Sequence, residues 1–214
     1  LYREIAAGRP GLLTKVGLHT VVDPRVEGGK MNERTRQGED IVEVVELNGE
    51  EMLFYRGFKP DVGLVRGTTA DPMGNITFED EAICMENFEG AMAVKNSGGF
   101  VIAQVARLSD QPALPHAVKI PWLFVDYIVV ASSPEAHPHT LFVQRDPSYT
   151  GEERVDLSRE IEPMPMSWEK VICRRAALEL KTGMVVNLGV GVPTGVAQVA
   201  FEEGWLESLV LNTE

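Results

Sequence analysis

The segment Val185–Gly195, V-V-N-L-G-V-G-V-P-T-G, leaves few folds open to this chain. An apolar run breaks into three closely spaced glycines, Gly189, Gly191 and Gly195. Val196, Val199 and Ala200 then recur at helical spacing, Gly204 stops that pattern, and Leu209–Glu214, L-V-L-N-T-E, forms a second apolar run. The order predicts a strand, a glycine turn, a helix and another strand, the repeating unit of an α/β sheet. Ligands of open α/β sheets bind just outside the C-terminal ends of the strands. Asn187, the Gly189–Gly191 turn and Glu214 are therefore the first candidates for a site.

Upstream of this unit, Ser167 has the character of a helix N-cap. Trp168, Val171, Ile172, Ala176 and Leu180 form an apolar stripe at helical spacing, which should be the buried face. Lys181 and Gly183 suit the last turn and the C-terminal cap. Residues 184–188 should be a buried strand.

From Leu1 to Ala131 the pattern is again α/β. Strands are expected over 41–47, 62–65, 76–78 and 100–105. A further strand over 52–55 should follow the hairpin signal Asn48-Gly49. Asp71-Pro72-Met73-Gly74 has the residue preferences of a type I turn. A helix is expected over 82–95, broken by Ser97-Gly98-Gly99, and Pro121 opens an apolar run over 122–130 that should be a buried strand. Prolines at 134, 138, 147, 163 and 165 then mark a composition change. The expected boundaries are a first domain over 1–131, a linker or surface excursion over 132–166, and a second domain over 167–214.

Thirty-two acidic residues against 20 basic ones give a net charge of −12. Such a surface repels phosphate backbones, so no nucleic-acid partner is expected. No apolar run reaches the length of a membrane span and no secretory signal opens the chain, so no membrane association is expected either. Cys84 and Cys173 are far apart and fit no metal or disulfide framework, so a reducing cytoplasm, or an organelle matrix after processing, is the expected setting, and cytoplasmic is the expectation taken. His19 and His116 are isolated. His137 and His139 flank Pro138 in the proline-rich segment, where a surface position is expected rather than a metal site. The chain starts at Leu1 and stops in a strand pattern, as an interior piece of a longer polypeptide would.

Two readings of the glycine turn compete. In the first, Gly189, Gly191 and Gly195 approximate a dinucleotide fingerprint, with Glu214 where a ribose-binding acid belongs. Pro193 and Thr194 fit that fingerprint badly. It would make the protein an NAD(P)-dependent oxidoreductase. The second reading takes in nearly the whole chain. Asn187-Leu188-Gly189-Val190-Gly191-Val192-Pro193, with a strand-borne Glu some twenty residues on, resembles the start of the β-type half of family I CoA-transferases. Leu64-Val65-Arg66-Gly67 through Ala70-Asp71, Gly74-Asn75-Ile76, Lys95-Asn96-Ser97-Gly98-Gly99 and Val118-Lys119-Ile120-Pro121 running into Val125-Asp126-Tyr127 resemble, in order, their α-type half.

This resemblance implies two linked α/β domains of the CoA-transferase (NagB/RpiA-like) type, both incomplete here, as in fused single-chain members acting on propionate, acetate or 3-ketoacids. It implies transfer of coenzyme A between a short-chain acyl-CoA and a carboxylic acid, in short-chain fatty acid or ketone body metabolism. CoA would be a substrate, with no permanent cofactor and no metal. Family members carry a nucleophilic glutamate at the head of a Glu-x-Gly-x-x-Gly-Gly stretch, and Glu214 occupies that position. Asn187, Gly189 and Gly191 would line the substrate or oxyanion site. The rest of the polypeptide would complete the site, and the protein would form a homo-oligomer. A non-catalytic CoA- or ligand-binding α/β domain is the alternative from another class.

Overall fold

A computed structural model of the chain describes residues 1–141, 143–154 and 162–212. It divides into two compact units, Leu1–Glu153 and Arg154–Glu214.

The first unit contains two sheets. The smaller is antiparallel, with β1 (Gly11–Thr14), β2 (Val42–Leu47) and β3 (Glu50–Arg56) in the order β1-β3-β2. Leu47 pairs with Glu50, so Asn48 and Gly49 alone form the turn. Their φ values of 56° and 79° are those of a type I′ hairpin. Two short helices, α1 (Tyr2–Ala6) and α2 (Glu33–Arg36), accompany this part of the chain.

The larger sheet holds β4 (Val62–Ala70), β5 (Ile76–Thr77), β6 (Phe100–Leu108), β7 (Val118–Ile120) and β8 (Tyr127–Val130), in the order β7-β5-β4-β6-β8. β4, β6 and β8 run parallel, while β5 pairs antiparallel with β4 and β7 antiparallel with β5, so that only β5 runs against the others. Between β4 and β6 the chain crosses over through α3 (Asn87–Asn96), which packs Ala91 and Val94 onto Val65, Val101, Ala103 and Val105. Gly67 is needed here, because a side chain at that point of β4 would run into Ile76 and Phe78. After α3, Gly98 at φ +87° and Gly99 return their amides to Lys95 and Val94, which closes the helix in a Schellman cap. The Asp71–Gly74 turn closes as expected through the Gly74 amide on the Asp71 carbonyl.

Two of the elements expected in the first unit need correction. The helix predicted over 82–95 starts only at Asn87. Asn87 is tied down by its side chain, which accepts from the Arg66 amide and donates to the Cys84 carbonyl. The apolar run 122–130 is not one buried strand. Trp122–Phe124 forms a 3-10 turn, and all four residues of β8 are exposed. β8 is the end strand of the sheet and pairs with β6 alone.

The second unit holds α4 (Trp168–Ala177), β9 (Val185–Asn187), α5 (Gly195–Glu202) and β10 (Val210–Asn212). Ser167 caps α4 by accepting the Lys170 amide. The predicted stripe is not the buried face, since Trp168, Val171 and Ile172 are exposed. Cys173 and Ala177 are buried instead, against Val196 and Val199 of α5. Small residues win this face because α5 approaches through a glycine, Gly195. Helix α4 also ends at Ala177, before Gly183, which serves the later turn into β9 at φ +81°. Val185 of β9 is exposed, contrary to the buried strand expected. No described helix is long and apolar enough to cross a membrane.

Candidate active site

β9 and β10 lie side by side and parallel, with Val185, Val186 and Asn187 in register with Val210, Leu211 and Asn212. The two strands therefore reach the same level, and Asn187 is at that end. Glu214, two residues beyond Asn212, lies with Thr213 outside the described residues.

The turn after Asn187 is shaped by one anchor and two glycines. Leu188 is half-buried and packs on the Cys173, Ala177, Val196 and Val199 cluster, which draws the chain inward. Gly189 and Val190 then swing out, and Val190 is 99% exposed. Gly191 adopts φ +99°, a conformation open to few other residues, and leads a 3-10 turn over Val192–Thr194. Thr194 closes that turn, its Oγ1 donating to the Gly191 carbonyl at 2.6 Å. A methyl group placed on Gly191 would meet nothing within 4 Å, and one on Gly189 only Pro193 Cγ at 4.0 Å. Neither glycine is there for close packing.

Gly195 is a packing glycine. A Cβ there would lie 2.5 Å from Met164 Cε and 2.7 Å from Cys173 Sγ. The Cys173 thiol donates to the Val192 carbonyl at 3.2 Å. Burial, helped by the Glu169 charge, pushes this thiol up, so it stays protonated and acts as a strut for the turn. Lys170 Nζ reaches Glu202 Oε2 at 2.6 Å and the Met164 carbonyl at 2.6 Å. The Lys170 bond, then the Met164 amide, hold the Glu202 carboxyl below its ordinary range. These contacts fix α4, α5 and the turn as one piece.

Among the described residues the amides of Gly189, Val190 and Gly191 donate to no partner, and the exposed Asn187 side chain makes no hydrogen bond. The arrangement thus offers three backbone N–H groups and one side-chain amide beside a strand end. Such a set can stabilise negative charge developing on an oxygen. A pyrophosphate cradle is less well served, since Pro193, at the start of the 3-10 turn, brings no N–H.

Comparison with known proteins decides between the two readings. Residues 2–131 match the family model described as Coenzyme A transferase. The chain belongs to this family. Caffeate CoA-transferase of Acetobacterium woodii is 53% identical over 215 residues, covering 100% of this chain and 40% of the relative. Acetate CoA-transferase YdiF of Escherichia coli O157:H7 is 37% identical over 217 residues, covering 99% of this chain and 39% of the relative. The crystal structure of YdiF as a thioester complex with CoA superposes with a TM-score of 0.88 at 35% identity, covering 100% of this chain and 42% of that one. The chain thus spans about two fifths of the length of these relatives, and its α/β architecture is that of part of a CoA-transferase.

The sequence misjudged one histidine of this chain. His137 is not a surface residue: its side chain is 7% exposed and its Nε2 lies 3.0 Å from Glu81 Oε1. Glu81 in turn pairs with Arg66 Nε at 2.6 Å. The proline-rich segment around His137 is thereby fastened to the sheet beside Arg66 of β4 and Gln104 of β6, whose side chain donates to the Ala136 carbonyl. Nothing in a linker-like composition announces a buried pair with a residue 56 positions away. No described group of three or more His, Cys, Asp or Glu side chains is placed to hold a metal ion.

Proposed function

We propose that the full-length protein transfers coenzyme A between a short-chain acyl-CoA and a free carboxylic acid of the acetate, propionate or 3-ketoacid class, with Glu214 as the covalent nucleophile. The observation that carries this reading is the level ending of β9 and β10. Asn187 and Asn212 are register partners at that end, and Glu214 follows Asn212 by two positions in the sequence.

The chemistry follows from what a carboxylate can do. Glu214 attacks the acyl-CoA carbonyl and expels CoA thiolate, leaving an acyl-glutamyl anhydride. The thiolate then attacks the glutamyl carbonyl of that anhydride and releases the first carboxylate, leaving a glutamyl-CoA thioester. An acceptor carboxylate runs the two steps in reverse. Each intermediate keeps the acyl group activated, which a serine ester would not. Each tetrahedral stage places charge on an oxygen, and the Asn187 side chain with the Gly189–Gly191 amides are the donors assigned to it. Residues outside this chain complete the site and exclude water from the hydrolysable intermediates. Coenzyme A is a substrate here and no permanent cofactor is required. The assembly is a homo-oligomer.

The test is isotope exchange by the full-length protein from labelled acetate into acetyl-CoA. Exchange with parallel-line kinetics that disappears in Glu214→Gln supports the reading. Exchange retained in Glu214→Gln contradicts it.

A further inference from the structure

We propose that a cavity beside the C-terminal ends of β6 and β8 binds a small monocarboxylate with an apolar body. The cavity measures about 470 Å³, within the range of small-molecule sites, and lies wholly in the first unit. Ala106, Ala131 and Pro134 give it apolar walls, and Asp80, Arg107, Arg145, His137 and His139 supply the charge and ring nitrogens.

Two guanidiniums line the cavity. Asp80 spends one oxygen on Arg107, at 2.7 Å, and the other on Arg145, at 3.1 Å. Arg107 also meets Glu79 at 3.0 Å and Arg145 meets Glu152 at 2.7 Å, so the case for an acceptor ligand rests on the donors these pairs leave free. Arg145 makes its bonds to the described residues, Asp80 and Glu152, through Nη2 alone. Its Nε and Nη1 are left to donate.

The histidines add the second argument. His139 Nδ1 accepts the Asp146 amide at 3.1 Å, and the ring stacks on Tyr149 with centroids 5.9 Å apart. An accepting Nδ1 places the proton of the neutral ring on Nε2. That Nε2 is buried and has no partner. An N–H donor shut away from water without an acceptor is costly, and a ligand oxygen would satisfy it. His137 repeats the pattern in reverse. Its Nε2 is held by Glu81, and its buried Nδ1 is unpartnered, ready to accept from a ligand hydroxyl or a water. A carboxylate between His139 Nε2 and the free edge of Arg145 meets the unmet donors, and its hydrocarbon part lies along the alanines and Pro134.

This inference stands on the first unit's cavity and does not depend on the transferase chemistry. The experiment is equilibrium dialysis of the full-length protein with labelled octanoate, on wild type, Arg145→Ala and His139→Phe. The phenylalanine keeps an aromatic ring against Tyr149 and removes both nitrogens, the Nε2–H and the Nδ1 that accepts the Asp146 amide, while Arg145→Ala leaves that contact in place. Loss of a charge-assisted hydrogen bond should weaken binding about tenfold in each variant, while acetyl-CoA:acetate exchange stays within about twofold of wild type. Octanoate binding that is absent, or unchanged in both variants, would overturn the proposal. So would loss of exchange in parallel with binding, which would make the cavity part of the transferase site. If wild type shows no exchange at all, the transferase reading fails, and the dialysis contrast still decides the cavity.

Discussion

Asn187 and Asn212 are register partners in two parallel strands that a helix connects. This places a side-chain amide, followed by three backbone amides unpaired among the described residues, beside β10, whose last residue precedes Glu214 by two positions in the sequence. Preorganised donors of this kind act on the transition state more than on the bound substrate. Asn187→Ala should therefore lower kcat about 10²-fold, roughly 3 kcal/mol of barrier, with little change in KM for acyl-CoA. Steady-state kinetics with acetyl-CoA and acetate separate the two parameters. An effect on KM alone would make Asn187 a ground-state contact.

Gly195 carries a different demand, since the Cys173 and Met164 side chains occupy the space a larger residue would need. Gly195→Val should force α4 and α5 apart and cost about 1–3 kcal/mol. Gly191→Ala meets no atoms, yet forces alanine to φ +99° and ψ −135°, a region kept to glycine, and should cost about 1–3 kcal/mol. Urea unfolding of the full-length protein measures both losses.

The strand–turn–helix–strand order of the second unit was legible because each boundary carries its own local signal. The glycines at 189, 191 and 204, Ser167 before α4, and the Asn48-Gly49 hairpin all act within a few residues of themselves. What the sequence hid depends on neighbours far along the chain. The buried side of α4 is decided by Gly195, which admits Cys173 and Ala177 and leaves Trp168 and Val171 outside. The start of α3 is decided by Asn87 meeting Arg66, and the burial of His137 by Glu81. At the candidate site, residue types and chain order named Asn187 and the two glycines. Only coordinates separated the open turn at Gly189 and Gly191 from the crowded one at Gly195.

Asp71 gives the fold a pH dependence. Burial works against its ionisation, but the Asn75 side chain and the Ala113, Asn75 and Met73 amides outweigh it and lower the carboxyl below its ordinary 3.8. Asp126, bonded by Lys95 and the Val101 amide, is lowered as well. A carboxyl depressed in the folded state stabilises the fold above its unfolded value and loses that contribution as pH falls through the folded one. Stability should thus be flat near neutrality and drop steeply below about pH 4. Asp71→Asn would turn Oδ2 into an NH₂ group facing the Asn75 and Ala113 donors. The variant should lose about 2 kcal/mol at neutral pH and show a shallower acid slope. Urea midpoints measured across pH test both statements.

The central claim is that Glu214 becomes covalently attached to coenzyme A. Full-length protein incubated with acetyl-CoA and then digested should give a peptide containing Glu214 with the added mass of CoA less water, and free acetate should remove it. Folded protein that binds acetyl-CoA yet leaves this peptide unmodified would contradict the account and make Glu214 a binding or structural carboxylate.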